Sequence, residues 1–291
     1  MKKYSSLFQL VSAMLIFGTI GVFVKYIPLP SGIIAMARGF TGVAFLLIVI
    51  LIKKQKLNKE ALKANLLKLV VSGAFIGFNW IFLFEAYRYT TVATATLCYY
   101  LAPIFVIIAS PFILKERLSV KKIVCVITAL TGMVFVSGVL QNGIPEISEI
   151  KGVLFGISAA LLYACVILIN KKTHDVPPYD MTIIQLGAAA IVLVPYNLLT
   201  VDISSLEADK TAIILLITVG IIHTGIAYAL YFSSMQKLKA QTIAIFSYID
   251  PIVAILISAI FLKEDMGIYG IIGGVLILGS AFISELPQKS K

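Results

Sequence analysis

The stretch "YYLAPIFVIIASPFILKERLS" (Tyr99–Ser119) has a second version later in the chain, "YIDPIVAILISAIFLKEDMG" (Tyr248–Gly267). In each copy a tyrosine precedes a proline by three residues, and an apolar run then ends in Leu-Lys-Glu. The copies differ in one chemically important place, because Asp250 stands where the first copy has Ala102. A symmetric pair of helices is therefore predicted to carry a carboxyl group on one side only.

The likeness between the two halves of the chain extends beyond these stretches. Phe82–Leu118 aligns with Leu230–Met266 without a gap at an offset of 148 residues, and segments around Pro30 and Pro178 match at the same offset. Any single match between leucine-rich stretches can arise by chance, but a long gapless run with its prolines in register argues against chance. The sequence therefore predicts an internal repeat.

The composition of the chain indicates a membrane protein. Of its 291 residues, 60% are hydrophobic and only 13% are charged, whereas a soluble domain carries about 25% charged residues. A transmembrane helix needs about 20 apolar residues, and aliphatic runs of this length without strand-like alternation indicate helices. We predict ten spans, at about 7–25, 32–52, 66–87, 91–114, 121–140, 151–170, 180–199, 211–235, 241–262 and 267–284.

Five spans fall in each half of the chain. We therefore predict an all-α membrane protein of two five-helix repeats, residues 7–140 and 151–284. Because five is odd, the second repeat enters the membrane from the opposite side, so the loop at Lys115 and its mate at Lys263 face opposite compartments. This is the inverted-topology repeat of many secondary transporters.

The basic residues predict the orientation. With both termini in the cytoplasm, eighteen lysines and arginines face inward and five face outward, and Arg38 lies within a span; short cytoplasmic loops carry such an excess. The net charge of +10 does not indicate nucleic acid, because the lysines lie at the ends of apolar runs. The apolar stretch after Lys2 and Lys3 lacks a convincing cleavage site, so we expect a retained first helix in the cell membrane.

These features resemble the EamA-type transporters of the drug/metabolite transporter superfamily. The resemblance covers nearly the whole chain and rests on the two five-helix repeats, Arg38 in "AMARG", the prolines of the fourth and ninth spans, and the "KERLS" ending. The ninth span departs from that ending with "KEDMG", and the first span has Phe17-Gly18 where many relatives have tryptophan. The resemblance implies a central cavity, alternating access and small organic substrates such as amino acids, with export common.

Charged groups and prolines within the spans are the first site candidates. Arg38 is predicted to anchor a carboxylate or phosphate, or else to cap carbonyls or extend towards the interface. Asp250 and His223 are the candidates for proton coupling, with structural pairing and core packing as the alternatives. Pro103 and Pro251 lack the N–H of an ordinary helical residue and are predicted to break the helices near mid-membrane, or else to form simple packing kinks.

Polar-tipped and aromatic side chains at similar depth complete the predicted substrate site. Such residues at helical spacing are usually core, but several from both halves can form a wall for an amine or amino acid through cation–π contacts. The residues are Asn79, Trp80, Tyr99, Tyr100, Tyr163, Gln185, Tyr228 and Tyr248.

We therefore expect a secondary transporter, with export the expected direction, that moves a small metabolite such as an amino acid or amine through a midplane site. Protons are the expected coupling ion, if there is one. No P-loop, HExxH or GxSxG motif is present, so we expect neither an enzyme nor a cofactor or metal. A membrane sensing subunit without transport, or a lipid-carrier flippase of the same fold, stays the alternative.

Overall fold

The computed structural model of the protein describes residues 2–90, 95, 98–136, 140, 150–173, 175–202, 206–261 and 267–286. Within these ranges the regular structure is entirely helical. Parts of the fourth and fifth predicted spans, and the loop containing Lys263, lie outside the described residues. The helices are α1 (Lys2–Lys25), α2 (Ser31–Ile52), α3 (Lys59–Tyr89), α4 (Ala102–Leu114), α5 (Val120–Val136), α6 (Ile150–Lys171), α7 (Pro178–Thr200), α8 (Lys210–Met235), α9 (Ala240–Phe246), α10 (Ile249–Phe261) and α11 (Gly267–Glu285).

Six of these helices, α1, α2, α3, α6, α7 and α8, are long and apolar enough to cross a membrane. Shorter apolar helices lie at Ala102–Leu114, Ala240–Ala254 and Ile268–Ser280. Large apolar side chains such as Phe112 and Leu199 are more than 80% exposed, which suits contact with lipid acyl chains rather than water. The predicted all-helical membrane fold is confirmed at this level.

Contacts between the two halves follow a matched pattern. Helix α3 packs against α6 and α7, and its counterpart α8 packs against α1 and α2. Likewise α1 packs against α10 and α6 against α4, while α2 meets α7 and α5 meets α11. Tyr248 donates a hydrogen bond to the carbonyl oxygen of its repeat mate Tyr100 at 2.9 Å, so the mates meet where the halves join.

The helices are interrupted immediately before each of the paired prolines. Helix α4 begins at Ala102, with Pro103 in its first turn, and α10 begins at Ile249, with Pro251 in its first turn. The prolines therefore start half-helices rather than lying inside continuous ones, because a missing N–H is tolerated in the first turn. Buried Tyr248 lies in the turn between α9 and α10.

Helix α8 contains a π-helical segment, Val219–Ile226, between two α-helical parts. The Thr224 hydroxyl donates to the Val219 carbonyl oxygen five residues back. Gly220 packs so closely on α2 that an added Cβ would lie 2.5 Å from the Cβ of Thr41. Single π-helical turns inside α-helices occur frequently at functional sites.

Candidate functional site

A central cavity of about 410 Å³ lies between the two halves. It begins at the neighbouring ends of two helices, where Val24 is the penultimate residue of α1 and Ser31 the first residue of α2. It continues inward to Asp250, at the helix break before Pro251. The cavity is thus open towards one face of the membrane and reaches the broken helices at its inner end.

Arg38 supplies the positive charge in the cavity wall. Its guanidinium carbon lies over the Trp80 ring, 4.1 Å from the ring centroid, which is a cation–π contact. The Nε atom of Arg38 is buried without a hydrogen-bond partner. Because a buried N–H that donates to nothing is costly, this side chain is prepared to bind an anion.

Asp250 supplies the negative charge at the inner end. Within the described part of the chain its carboxylate forms no hydrogen bond and no salt bridge, with Arg38 or any other residue. Tyr228 lines the same cavity as both charged residues. One cavity therefore contains two opposite, separated charges.

An aromatic wall surrounds these charges. The Tyr163 and Tyr231 rings stack, and their hydroxyl groups hydrogen-bond to each other at 2.6 Å. Phe17 packs edge-on against Tyr228 and Tyr231. Such rings offer a face to a cation or to an apolar side chain.

Seven predicted substrate or coupling residues line this cavity, and they are Arg38, Trp80, Tyr99, Tyr100, Tyr163, Tyr228 and Asp250. The lining also includes Phe17 and Tyr231, which the sequence argument did not select. Tyr231 follows Tyr228 by three residues, a spacing that places both on one helix face and could have identified it.

The other predicted residues lie in the protein core, outside the cavity lining. Asn79 donates to the Ala159 carbonyl oxygen at 2.7 Å. Gln185 forms a buried network with Asn170, which also accepts a hydrogen bond from Ser72. Tyr248 is fully buried. These positions suit helix packing, where amide and hydroxyl groups join helices in the membrane.

His223 lies in the π-helical segment and contacts α1 instead of the cavity lining. The Thr19 hydroxyl donates to the Ile16 carbonyl oxygen at 2.8 Å, so His223 Nε2, at 2.9 Å, must donate to the Thr19 oxygen. His223 Nδ1 is buried without a partner, and the ring packs on Phe23. Of the two residues predicted for proton coupling, Asp250 is therefore the one in the cavity.

The membrane face opposite the cavity opening is closed by polar contacts. Lys171, at the end of α6, donates to the carbonyl oxygens of Met235 and Leu238 at 3.0 and 2.7 Å. Gln241 in α9 donates to the Ser110 hydroxyl oxygen at 3.0 Å. The Gln241–Ser110 bond joins the two halves, whereas both Lys171 bonds lie within the second half. A relative movement of the halves would therefore break the Gln241–Ser110 bond.

The described helices and their cavity are those of a multi-pass membrane protein, and comparisons with known proteins identify its class as a transporter. The chain belongs to the EamA-like transporter family, whose profile matches residues 5–138 and again 150–286. It is 30% identical to the uncharacterized transporter YxxF of Bacillus subtilis, over 100% of this chain and 92% of that protein.

Two further comparisons are informative. A probable amino-acid metabolite efflux pump of Salmonella typhimurium is 24% identical over 76% of this chain and 77% of its own length. One crystal structure superposes with a TM-score of 0.85, covering 97% of each chain at 20% identity; at that identity the likeness concerns the fold alone. The family predicted from the sequence is confirmed.

Proposed function

We propose that this protein exports a small zwitterionic metabolite, such as an amino acid or a close derivative, across the cell membrane. The observation that carries the proposal is the presence of Arg38 and Asp250 in one cavity, unpaired with each other. Arg38 binds the carboxylate of the substrate, since a guanidinium offers a fork of donors that matches it. Asp250 binds the ammonium group. The efflux-pump name of the Salmonella relative supports this substrate class.

The remaining volume of the cavity receives the substrate side chain. Its walls are aromatic, with Phe17, Tyr99 and Tyr231 among the lining residues. A volume of about 410 Å³ falls within the ~300–1,000 Å³ range of small-molecule sites. Such walls favour apolar and aromatic side chains over strongly charged ones, because a third charge would lose its hydration without gaining a partner.

Transport proceeds by alternating access between the two five-helix repeats, residues 7–140 and 151–284. We propose that these form ten spans of inverted topology with both termini in the cytoplasm, as the lysine distribution and the matched contacts of the halves support. In this orientation the cavity opens outward, and the Gln241–Ser110 bond between the repeats lies on the cytoplasmic side. Rocking of the repeats at the breaks before Pro103 and Pro251 then exposes the same site inward.

Asp250 couples this movement to protons. Its carboxylate can hold either a proton or the ammonium group of the substrate, so binding of one displaces the other. A proton that enters from outside therefore releases the substrate, and the inward return of the protonated carrier gives proton/substrate antiport. His223, which donates to Thr19, has a structural role in this scheme.

Flux in proteoliposomes tests the function. A radiolabelled neutral amino acid should accumulate against its gradient when a pH gradient is imposed, and Asp250→Asn should abolish the dependence on pH. Glu207→Gln, an exposed carboxyl change outside the cavity, is the matched control and should behave as wild type. Wild-type transport that is independent of the pH gradient and is unchanged by Asp250→Asn would refute proton coupling. Absence of transport of any amino acid or amine would refute the substrate class.

A further inference from the structure

A second cavity, of about 380 Å³, lies away from the central one and shares no lining residue with it. Its wall comes from the N-terminal parts of α1 and α7, the C-terminal half of α2 and the second half of α8. On α2 the central cavity touches Arg38 and the second cavity touches Val49. These residues are about 16 Å apart along the helix axis, at 1.5 Å per residue, so the two cavities lie towards opposite faces of the membrane.

The lining of the second cavity is chiefly apolar, and part of it reaches the exposed surface of the helices. Phe45, Val49, Ala229 and Leu230 form much of the wall. Ile226, also in the wall, is 37% exposed. The one polar pair in the wall is Gln9 and Ser233, which hydrogen-bond to each other at 3.3 Å. Such a space suits an acyl chain.

Positive charge lies at the membrane-boundary end of this cavity. The Lys53 ammonium lies 5.2 Å from the ring centroid of Tyr179, and that ring is part of the wall. Exposed lysines continue beyond the end of α2 at positions 54, 56 and 59. Of the nearby acidic residues, Asp180 is fully buried and accepts the Asn58 backbone N–H at 2.8 Å, so it does not cover the lysines.

We propose that the second cavity binds an anionic phospholipid, with one acyl chain in the apolar groove and the phosphate at Lys53 and Lys54. The inference follows from the combination of an apolar cavity open to the bilayer and a lysine cluster at headgroup depth, since basic pockets between transmembrane helices on the cytoplasmic side bind anionic headgroups. Because the bound chain would contact α2, α7 and α8 together, the lipid stabilises the packing between the two halves.

Purified full-length protein in phosphatidylcholine nanodiscs tests the proposal. Replacing part of the phosphatidylcholine with phosphatidylglycerol should raise the melting temperature in proportion to the phosphatidylglycerol fraction, because a ligand that binds only the folded protein stabilises it. The double variant K53Q/K54Q should lose most of this shift. Its matched control, K237Q/K239Q, removes two exposed lysines outside the cavity lining and should retain it.

A second variant, Val49→Phe, fills the cavity and leaves all lysines in place. It should also lose the phosphatidylglycerol shift, and native mass spectrometry should show fewer retained phosphatidylglycerol adducts than on wild type. Equal stabilisation by both lipids, or an equal loss of the shift in the two double-lysine variants, would overturn the proposal. A shift abolished by an added amino acid would also overturn it, because the cavity would then belong to the substrate path.

Discussion

Replacement of Arg38 by alanine distinguishes two possible roles of this residue, binding the carboxylate of the substrate and stabilising the fold. The guanidinium stacks on Trp80 and has a buried Nε without a partner, so the variant removes donors that serve the ligand and no described internal hydrogen bond. A hydrogen bond to a charged group contributes about 1.5–3 kcal/mol. At 1.4 kcal/mol per factor of ten, affinity for a zwitterionic amino acid should fall about ten- to hundredfold.

The prediction is specific because it depends on the ligand. An amino-acid amide and the corresponding decarboxylated amine lack the carboxylate, so their affinities should stay unchanged or improve when the positive charge is removed. Arg38→Lys should give an intermediate loss for the zwitterion, because lysine keeps the charge but not the planar fork. Asp250→Asn should show the converse pattern and weaken binding of the amine as well as the zwitterion.

Tryptophan fluorescence gives the primary assay. The chain contains a single tryptophan, Trp80, and it lies in the cavity wall beside Arg38, so ligand binding should change its emission. Isothermal titration calorimetry supplies an independent affinity for the Arg38 variants, because loss of the stacked guanidinium itself alters Trp80. Arg88→Gln, which changes an exposed arginine bonded to Glu85, is the control.

The result that would refute the reasoning is an equal loss of affinity for zwitterion, amide and amine in Arg38→Ala, with an unchanged melting temperature. That pattern would mean that Arg38 shapes the cavity without contacting a carboxylate. A variant that fails to fold would instead assign Arg38 to the packing of α2, and the Arg38→Lys comparison between ligands would then decide whether it also binds the substrate.

Three other predictions follow from the packing. Gln241→Leu removes the hydrogen bond to Ser110 that joins the two halves at one face and should increase the inward-open population, measured as faster labelling of a cysteine introduced at Ser247. Gly132→Ala places a Cβ 2.8 Å from the Gly273 carbonyl oxygen and should cost ~1–3 kcal/mol of stability, whereas Gly279→Ala, with open space, should be neutral by thermal melting. Thr19→Val leaves the buried His223 Nε2–H without an acceptor and should lower the melting temperature without changing the pH dependence of transport.

The repeat could be predicted from sequence because its signals are local. Apolar runs and paired prolines depend on short-range chemistry, and the apolar runs predicted the six helices long enough to cross a membrane. The structure also refines one detail, since Pro103 and Pro251 start half-helices. A single sequence cannot distinguish a proline inside a helix from one at its first turn when it lies within a long apolar run.

Side-chain direction was harder to predict. Tyr100 and Tyr248 are repeat mates at an offset of 148, yet Tyr100 lines the cavity and Tyr248 is fully buried. The two positions have the same sequence pattern, and the difference arises because Tyr248 uses its hydroxyl to bond the backbone of its mate. The sequence did not indicate the π-helical segment around His223 either, because Val219–Ile226 has the pattern of an ordinary apolar helix.

The difference between Ala102 and Asp250 has a physical reason in this geometry. Both residues line one small chamber of about 20 Å³ where the two helix breaks meet. Two carboxylates around so small a space would repel each other, and one would have to remain protonated. The proposed mechanism requires a single exchangeable charge at this position, so the otherwise symmetric scaffold is asymmetric there. In this proposal Ala102 matters as much as Asp250, because the small uncharged side chain of Ala102 leaves the Asp250 carboxylate free for a substrate ammonium group or a proton.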